Sequence, residues 1–125
     1  LLFPKTKFDL VESDSRKCEF LKHVIHTLGL ANAAVINARL ESLGNAGMKE
    51  AVSRGFASIA KTVLACNRLF KGPGKFYHLK GASWSNEVAE LPSQLLSVWR
   101  PEVLGDYSLP SSQAKRTIVV TTKLA

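Results

Sequence analysis

Two kinds of segment alternate along most of this chain: short runs of apolar or period-two character, and longer stretches in which apolar residues return every three or four positions. Strands alternating with helices point to a sheet with parallel neighbours, because each helix carries the chain back along the sheet before the next strand pairs. Lys7-Phe8-Asp9-Leu10-Val11-Glu12 alternates and then turns apolar before an acidic end, which reads as a strand with a carboxylate at its carboxyl terminus. Ser13, Asp14 and Ser15 supply N-cap candidates for the next segment, where Cys18, Leu21, Val24, Ile25 and Leu28 follow amphipathic helical spacing. Gly29 is placed to end that helix.

Ala33-Ala34-Val35-Ile36-Asn37 is a second short apolar run and suits a parallel strand covered on both faces, where alternation is lost. A polar turn at Arg39, Glu41 and Ser42 follows, then a loop from Gly44 to Gly47. Glu50 to Ser53 gives a third strand, and Ser58 to Leu69 a helix marked by Ile59, Val63, Cys66 and Leu69. Lys71-Gly72-Pro73-Gly74 is a turn that combines fixed proline geometry with glycines tolerant of positive φ. Lys75 to Lys80 reads as a strand, and Trp84 to Leu91 as a short helix carrying Glu87 and Glu90, stopped by Pro92. Two further strands are expected, Leu95 to Trp99 extending to Leu104, and Thr117 to Thr121. No helix separates them, so a mostly parallel sheet should finish in an antiparallel pair.

The 125 residues, 46% of them hydrophobic and 22% charged, fit one globular domain. The longest apolar stretches, such as Ala33 to Ile36 and Val63 to Cys66, fall well short of the roughly 20 residues that span a bilayer. Leu1-Leu2-Phe3, followed at once by Pro4 and Lys5, lacks the charged start and apolar length of a signal peptide, so a soluble cytoplasmic protein is expected. Cys18 and Cys66 each sit among apolar residues at helical spacing and are expected in the core, not in a disulfide. The formal net charge of +7 should draw the chain to polyanions, nucleic acid above all, although basic charge also serves solubility alone. Lys71, Lys75, Lys80, Lys115 and Arg116 are the candidates for a basic rim. His23 and His26 lie three apart on one helix without a third ligand, so no metal site is expected, and His78 is expected to be packed within its strand. No nucleophile elbow or catalytic-cysteine motif supports a hydrolase.

Glu12 stands at a strand's carboxyl end, where a doubly wound fold places the acid that accepts hydrogen bonds from ribose hydroxyls; a solvated or helix-capping glutamate is the alternative. Arg54, directly after an apolar strand, can hold a carboxylate bidentately or a phosphate, or pair with a neighbouring acid.

Five segments carry a resemblance to a family. Val52-Ser53-Arg54-Gly55-Phe56-Ala57-Ser58 is similar to the "SRAFAS" segment of bacterial small-subunit rRNA methyltransferases of the G type (glucose-inhibited division protein B), with glycine for the usual alanine. Asn37 to Glu41 resembles that family's "ARVEE" turn, and Glu12 to Leu21 its acidic strand end and "KR..FL" helix start. Gly74 to Gly81 resembles its "GGRFLALKG" strand, and Arg116 to Val120 its "RHLVV" final strand. The resemblance implies a class I S-adenosylmethionine-dependent methyltransferase fold, Rossmann-like α/β, whose sheet ends antiparallel. A nicotinamide-dependent dehydrogenase domain would instead finish with a parallel strand. It further implies S-adenosylmethionine as cofactor, guanine N7 as the methylated position, and 16S rRNA or the small ribosomal subunit as partner. By the same resemblance Glu12 binds the ribose, Ser13 and Asp14 line its edge, Leu40 and Glu41 flank the adenine, and Arg54 contacts the cofactor region. As bare sequence, Ser13 and Asp14 are equally helix caps, and Leu40 and Glu41 an exposed turn. Family members carry a glycine-rich cofactor loop on a strand preceding the region that this sequence covers, so an amino-terminally truncated enzyme is expected, with a noncatalytic RNA-binding remnant as the alternative. Gly72-Pro73-Gly74 resembles a different family turn and is no substitute for that loop.

Overall fold

A computed structural model describes residues 1–43, 47–112 and 114–124. They belong to two compact units, Leu1–Leu43 and Gly44–Ala125, and residues 44–46 of the expected Gly44–Gly47 loop lie outside the described residues.

In the first unit, β1 (Phe8–Glu12), α1 (Ser15–Leu28) and β2 (Ala33–Asn37) follow the sequence reading closely. The strands pair in parallel from Phe8 opposite Ala33 to Glu12 opposite Asn37. Of the three cap candidates, Asp14 is the one used: its Oδ1 accepts from the amides of Arg16 at 2.8 Å and Lys17 at 3.3 Å. At the other end Gly29, at φ 62°, donates to the His26 carbonyl while Leu30 donates to Ile25, which closes the last turn. Only Cys18 of α1 is buried; Leu21, Val24 and Ile25 are half-buried, and Leu28 stays exposed. The cover expected on both faces of Ala33–Asn37 is not met, since none of its residues is fully buried. A polar clamp holds the amino-terminal segment instead, with the Asn32 side-chain amide donating to the carbonyls of Phe3 at 3.0 Å and Thr6 at 2.7 Å.

The second unit contains β3 (Glu50–Arg54), α2 (Ile59–Cys66), β4 (Gly74–Lys80), α3 (Trp84–Ala89), α4 (Ser93–Leu96), β5 (Trp99–Ser108) and β6 (Lys115–Lys123). Its sheet has the order β3-β4-β6-β5, with β3 and β4 parallel and β6 antiparallel to both of its neighbours. The antiparallel ending is therefore present, and the last strand lies inside the sheet. There Thr117, Val119, Val120, Thr121 and Lys123 are buried. Ile59, Leu91 and Val119 form a core on which Ala60, Trp84, Val88 and Leu95 pack. The helical spacing of Ile59, Val63, Cys66 and Leu69 does mark a buried stripe, although the helix proper ends at Cys66 and a single 3-10 turn carries Leu69. Trp99 packs edge-on against Phe70, ring centroids 5.2 Å apart, and its Nε1 donates to Asn67 Oδ1 at 3.0 Å. Lys123 Nζ donates to the carbonyls of Asn67 at 3.1 Å and Phe70 at 2.7 Å, a cation at the end of the α2 segment.

One expectation fails here. Leu95–Trp99 is not a strand: Ser93–Leu96 is helical, and the strand runs from Trp99 to Ser108. The Pro92 carbonyl accepts from the amides of Leu95 and Leu96, and Leu95 turns into the core, a choice that a short apolar run does not announce. The expected turn at Lys71–Gly74 is present, but its glycines do not use positive φ; among the described residues the positive-φ glycines are Gly29, Gly47 and Gly55. Gly74 is needed for space, because a Cβ there would sit 2.4 Å from the Phe70 ring and 2.7 Å from the Lys49 carbonyl oxygen. Among the described residues no helix is long and apolar enough to cross a membrane.

Candidate functional site

Parallel pairing of β1 with β2 brings their carboxyl ends together, and with them most of the candidate residues of the first unit. Glu12 ends β1, half-buried, opposite Asn37 at the end of β2. Its carbonyl accepts from the Ala38 amide at 3.0 Å and from Cys18 Sγ at 3.2 Å, and its Oε2 from the Asp14 amide at 3.0 Å. The carboxylate is thereby aimed by its own chain, and among the described residues Oε1 has no donor. Ser13 is exposed between Glu12 and Asp14. Leu40 and Glu41 occupy a 3-10 turn, Leu40–Ser42, beyond β2, closed by the Leu43 amide on the Leu40 carbonyl. Leu40 is half-buried and Glu41 exposed.

In the second unit Arg54 ends β3, exposed, and Gly55 at φ 63° turns the chain towards α2. The five lysines and arginines proposed as a basic rim do not gather at one place. Lys75 pairs with Thr122 and Lys80 with Thr117, so Lys71 and Lys75 stand at the amino end of β4, about 17 Å along the strand from Lys80 at roughly 3.3 Å per residue. Lys115 and Arg116 lie at the Lys80 end, where β6 begins. Lys80 is no rim residue: its side chain is 12% exposed, and its ammonium donates to the Ala57 carbonyl at 2.6 Å and pairs with Glu87 Oε1 at 3.0 Å. Lys115 is exposed and pairs with Asp106 at 3.2 Å. The Thr117 hydroxyl and then Lys115 hold the Asp106 carboxyl below its ordinary range.

Two other reactive groups have structural tasks. Burial pushes the Cys66 thiol up to about 12, so it is no nucleophile at neutral pH. His78 is fully buried, stacks on Phe76 and shares a 2.9 Å hydrogen bond through Nε2 with Thr121 Oγ1. Burial, reinforced by the Lys80 charge and partly offset by Glu87, holds its imidazole down to about 4. Among the described residues no three His, Cys, Asp or Glu side chains cluster as metal ligands. Sequence reasoning passed over the tasks of Glu87 and Ser83. Glu87 accepts from the Ile59 amide 28 residues away, which no local spacing announces, whereas Ser83 reaches Glu87 over four residues, a spacing that the sequence does offer.

The family model for rRNA small subunit methyltransferase G (GidB) matches residues 1–117. Ribosomal RNA small subunit methyltransferase G 3 of Bdellovibrio bacteriovorus is 43% identical over 125 residues, covering 100% of this chain and 57% of that protein. Ribosomal RNA small subunit methyltransferase G of Photobacterium profundum is 33% identical over 123 residues, 98% of this chain and 58% of the relative. A SAM-dependent O-methyltransferase from Thermotoga maritima superposes with a TM-score of 0.69 at 14% identity over 98% of this chain and 51% of its own, a likeness of fold. The chain thus spans between half and two thirds of the length of these curated relatives. A sheet that ends antiparallel, the acid at the end of β1 and a sequence match running through nearly every element have one reading: the chain belongs to the rRNA small subunit methyltransferase G family.

Proposed function

We propose that the protein bearing this chain transfers a methyl group from S-adenosylmethionine to N7 of a guanine in 16S ribosomal RNA, free or in the small subunit. The observation that carries this reading is the carboxyl end of the β1–β2 pair, where Glu12 and the Leu40–Ser42 turn stand together. Carboxyl ends of strands are where doubly wound sheets take nucleotide ligands. Glu12 would accept from the ribose hydroxyls through the oxygen that the Asp14 amide leaves open, Leu40 and Glu41 would flank the adenine, and Ser13 and Asp14 would border the ribose. Arg54 would hold an oxyanion, the cofactor's carboxylate or a phosphate of the RNA. Arg116 and Lys115 at one end of the second unit's sheet, and Lys71 and Lys75 at the other, offer charge to the RNA backbone.

Bound S-adenosylmethionine supplies an electrophilic methyl carbon, and guanine N7 brings its own lone pair with no proton to lose. The chain's residues therefore need neither a nucleophile nor a base at the reacting atom; their work is orientation and electrostatics.

The test is calorimetric titration of S-adenosylmethionine into the full-length protein and its Glu12→Ala variant, with 16S rRNA binding measured alongside. Hydrogen bonds to a charged group are worth roughly 1.5–3 kcal/mol each, so the variant should bind the cofactor at least about tenfold more weakly with RNA affinity unchanged. Equal cofactor affinity would take Glu12 out of the site. RNA binding with no cofactor binding by the wild type would leave a noncatalytic RNA-binding protein.

A further inference from the structure

The loop from Arg54 to Ser58 joins β3 to α2 and carries two exposed side chains, Arg54 and Phe56. Its second half is fastened by a half-buried ion pair. Lys80 Nζ, from the end of β4, lies 2.6 Å from the Ala57 carbonyl oxygen and 3.0 Å from Glu87 Oε1. That same Oε1 accepts from the amide of Ile59, the first residue of α2, at 3.0 Å, and Oε2 accepts from the Ser83 hydroxyl at 3.2 Å. Between the two anchored residues, Ser58 caps α2 through Oγ on the Lys61 amide and gives its carbonyl to the Thr62 hydroxyl. One carbonyl of the loop and the first amide of α2 thus meet a cation and an anion that also bind each other.

An ion pair with side chains only 12% and 16% exposed is a poor source of stability, because desolvation cancels much of the attraction and an apolar pair often serves as well. Geometry is what it supplies. Lys80 would be more useful to RNA affinity on the surface, and it is turned inward to hold the loop that follows Arg54, the last residue of β3.

We propose that Lys80 and Glu87 are positioning residues that fix the loop from Arg54 to Ser58 so that Arg54 meets its oxyanion in one orientation. This rests on the role of Arg54 given above. The experiment compares full-length wild type with Lys80→Met, Glu87→Gln and the double variant Lys80→Met/Glu87→Leu. The single Lys80→Met change strands a half-buried carboxylate and should lower the melting temperature; the apolar double variant should recover most of it. If the pair positions the loop, the double variant still loses at least about tenfold in kcat/KM, and backbone order parameters at Gly55–Ala57 fall from about 0.85 towards 0.6 or below. A loss carried by S-adenosylmethionine affinity assigns the oxyanion to the cofactor carboxylate, and a loss carried by KM for RNA assigns it to a phosphate. A double variant with restored melting temperature, wild-type kcat/KM and an ordered loop would overturn the proposal. Should Lys80→Met fail to fold, Glu87→Gln and the double variant decide. If the wild type itself methylates no RNA, the function proposed above fails, while the order parameters still report whether the pair holds the loop.

Discussion

The two units are held together by different means. In Gly44–Ala125 a set of fully buried side chains, from Ile59 and Trp99 to Val119, closes a core between α2, α3 and the sheet. In Leu1–Leu43 only Cys18 is fully buried, and the elements are tied by polar closures: the Asp14 cap, the Gly29 turn, the Asn32 clamp and the Glu12 carbonyl. Two of the residues read as adenosine-binding, Glu12 and Asp14, are among those closures. Substitutions in the second unit should therefore show as lost stability, and substitutions at the β1 end as small stability changes with larger effects on ligand binding.

Trp99→Ala tests the contrast at its strongest. It removes the edge-on contact with Phe70 and the donor to Asn67 from a site that is 1% exposed. Such truncations cost about 3–5 kcal/mol, whereas Leu28→Ala, on the exposed end of α1, should stay within about 0.5 kcal/mol. Urea unfolding followed by circular dichroism gives both values. Comparable losses at the two positions would mean that the first unit depends on a packed face around Leu28 after all.

Acid should act next most strongly, and again on the second unit. With Nε2–H donating to Thr121, the buried His78 Nδ1 keeps an unpartnered lone pair, which costs less than an unpartnered N–H. Protonation would place a charge there. The folded imidazole titrates near 4 against 6.5 for the ordinary group, so its contribution is full above about pH 6.5 and is lost progressively as the pH falls through 4. At 1.36 kcal/mol per pH unit the swing is on the order of 3 kcal/mol. Stability measured from pH 7 to pH 4 should fall in the wild type and fall less in His78→Leu. Parallel pH profiles would remove His78 as the cause.

The same contrast explains what could be read in the sequence. Elements set by local signals were legible: β1 from its alternation, α1 from its spacing with Asp14 and Gly29 at its ends, β2 to the residue, and the antiparallel ending from the missing helix between the last two strands. Where long-range packing decides, the reading failed. Leu95 and Leu96 look like strand residues until the Ile59–Leu91–Val119 core claims Leu95 for the helix Ser93–Leu96, with Pro92 at its N-cap. Lys71, Lys75 and Lys80 look alike in sequence, yet strand length separates the first two from the third, and Glu87 turns the third inward. Glu12 was legible as a strand-end carboxylate, but that the Asp14 amide would hold one of its oxygens was not.

The smallest expected effect is the most discriminating one. Asp14 is an N-cap by geometry and a ribose-edge residue by the proposed function, and one substitution separates the roles. Asp14→Ala should cost about 1 kcal/mol of stability through the lost cap, with a few tenths more from the lost negative charge at the helix start. Asp14→Ser keeps an oxygen that caps nearly as well, so thermal unfolding of the full-length protein should return close to the wild-type midpoint. If Asp14 only caps, S-adenosylmethionine affinity should recover in Asp14→Ser together with stability, since the amide that steers Glu12 Oε2 is backbone and is retained. If it also borders the ribose, stability recovers and affinity does not. In that case the closures that hold the first unit are also part of the ligand site.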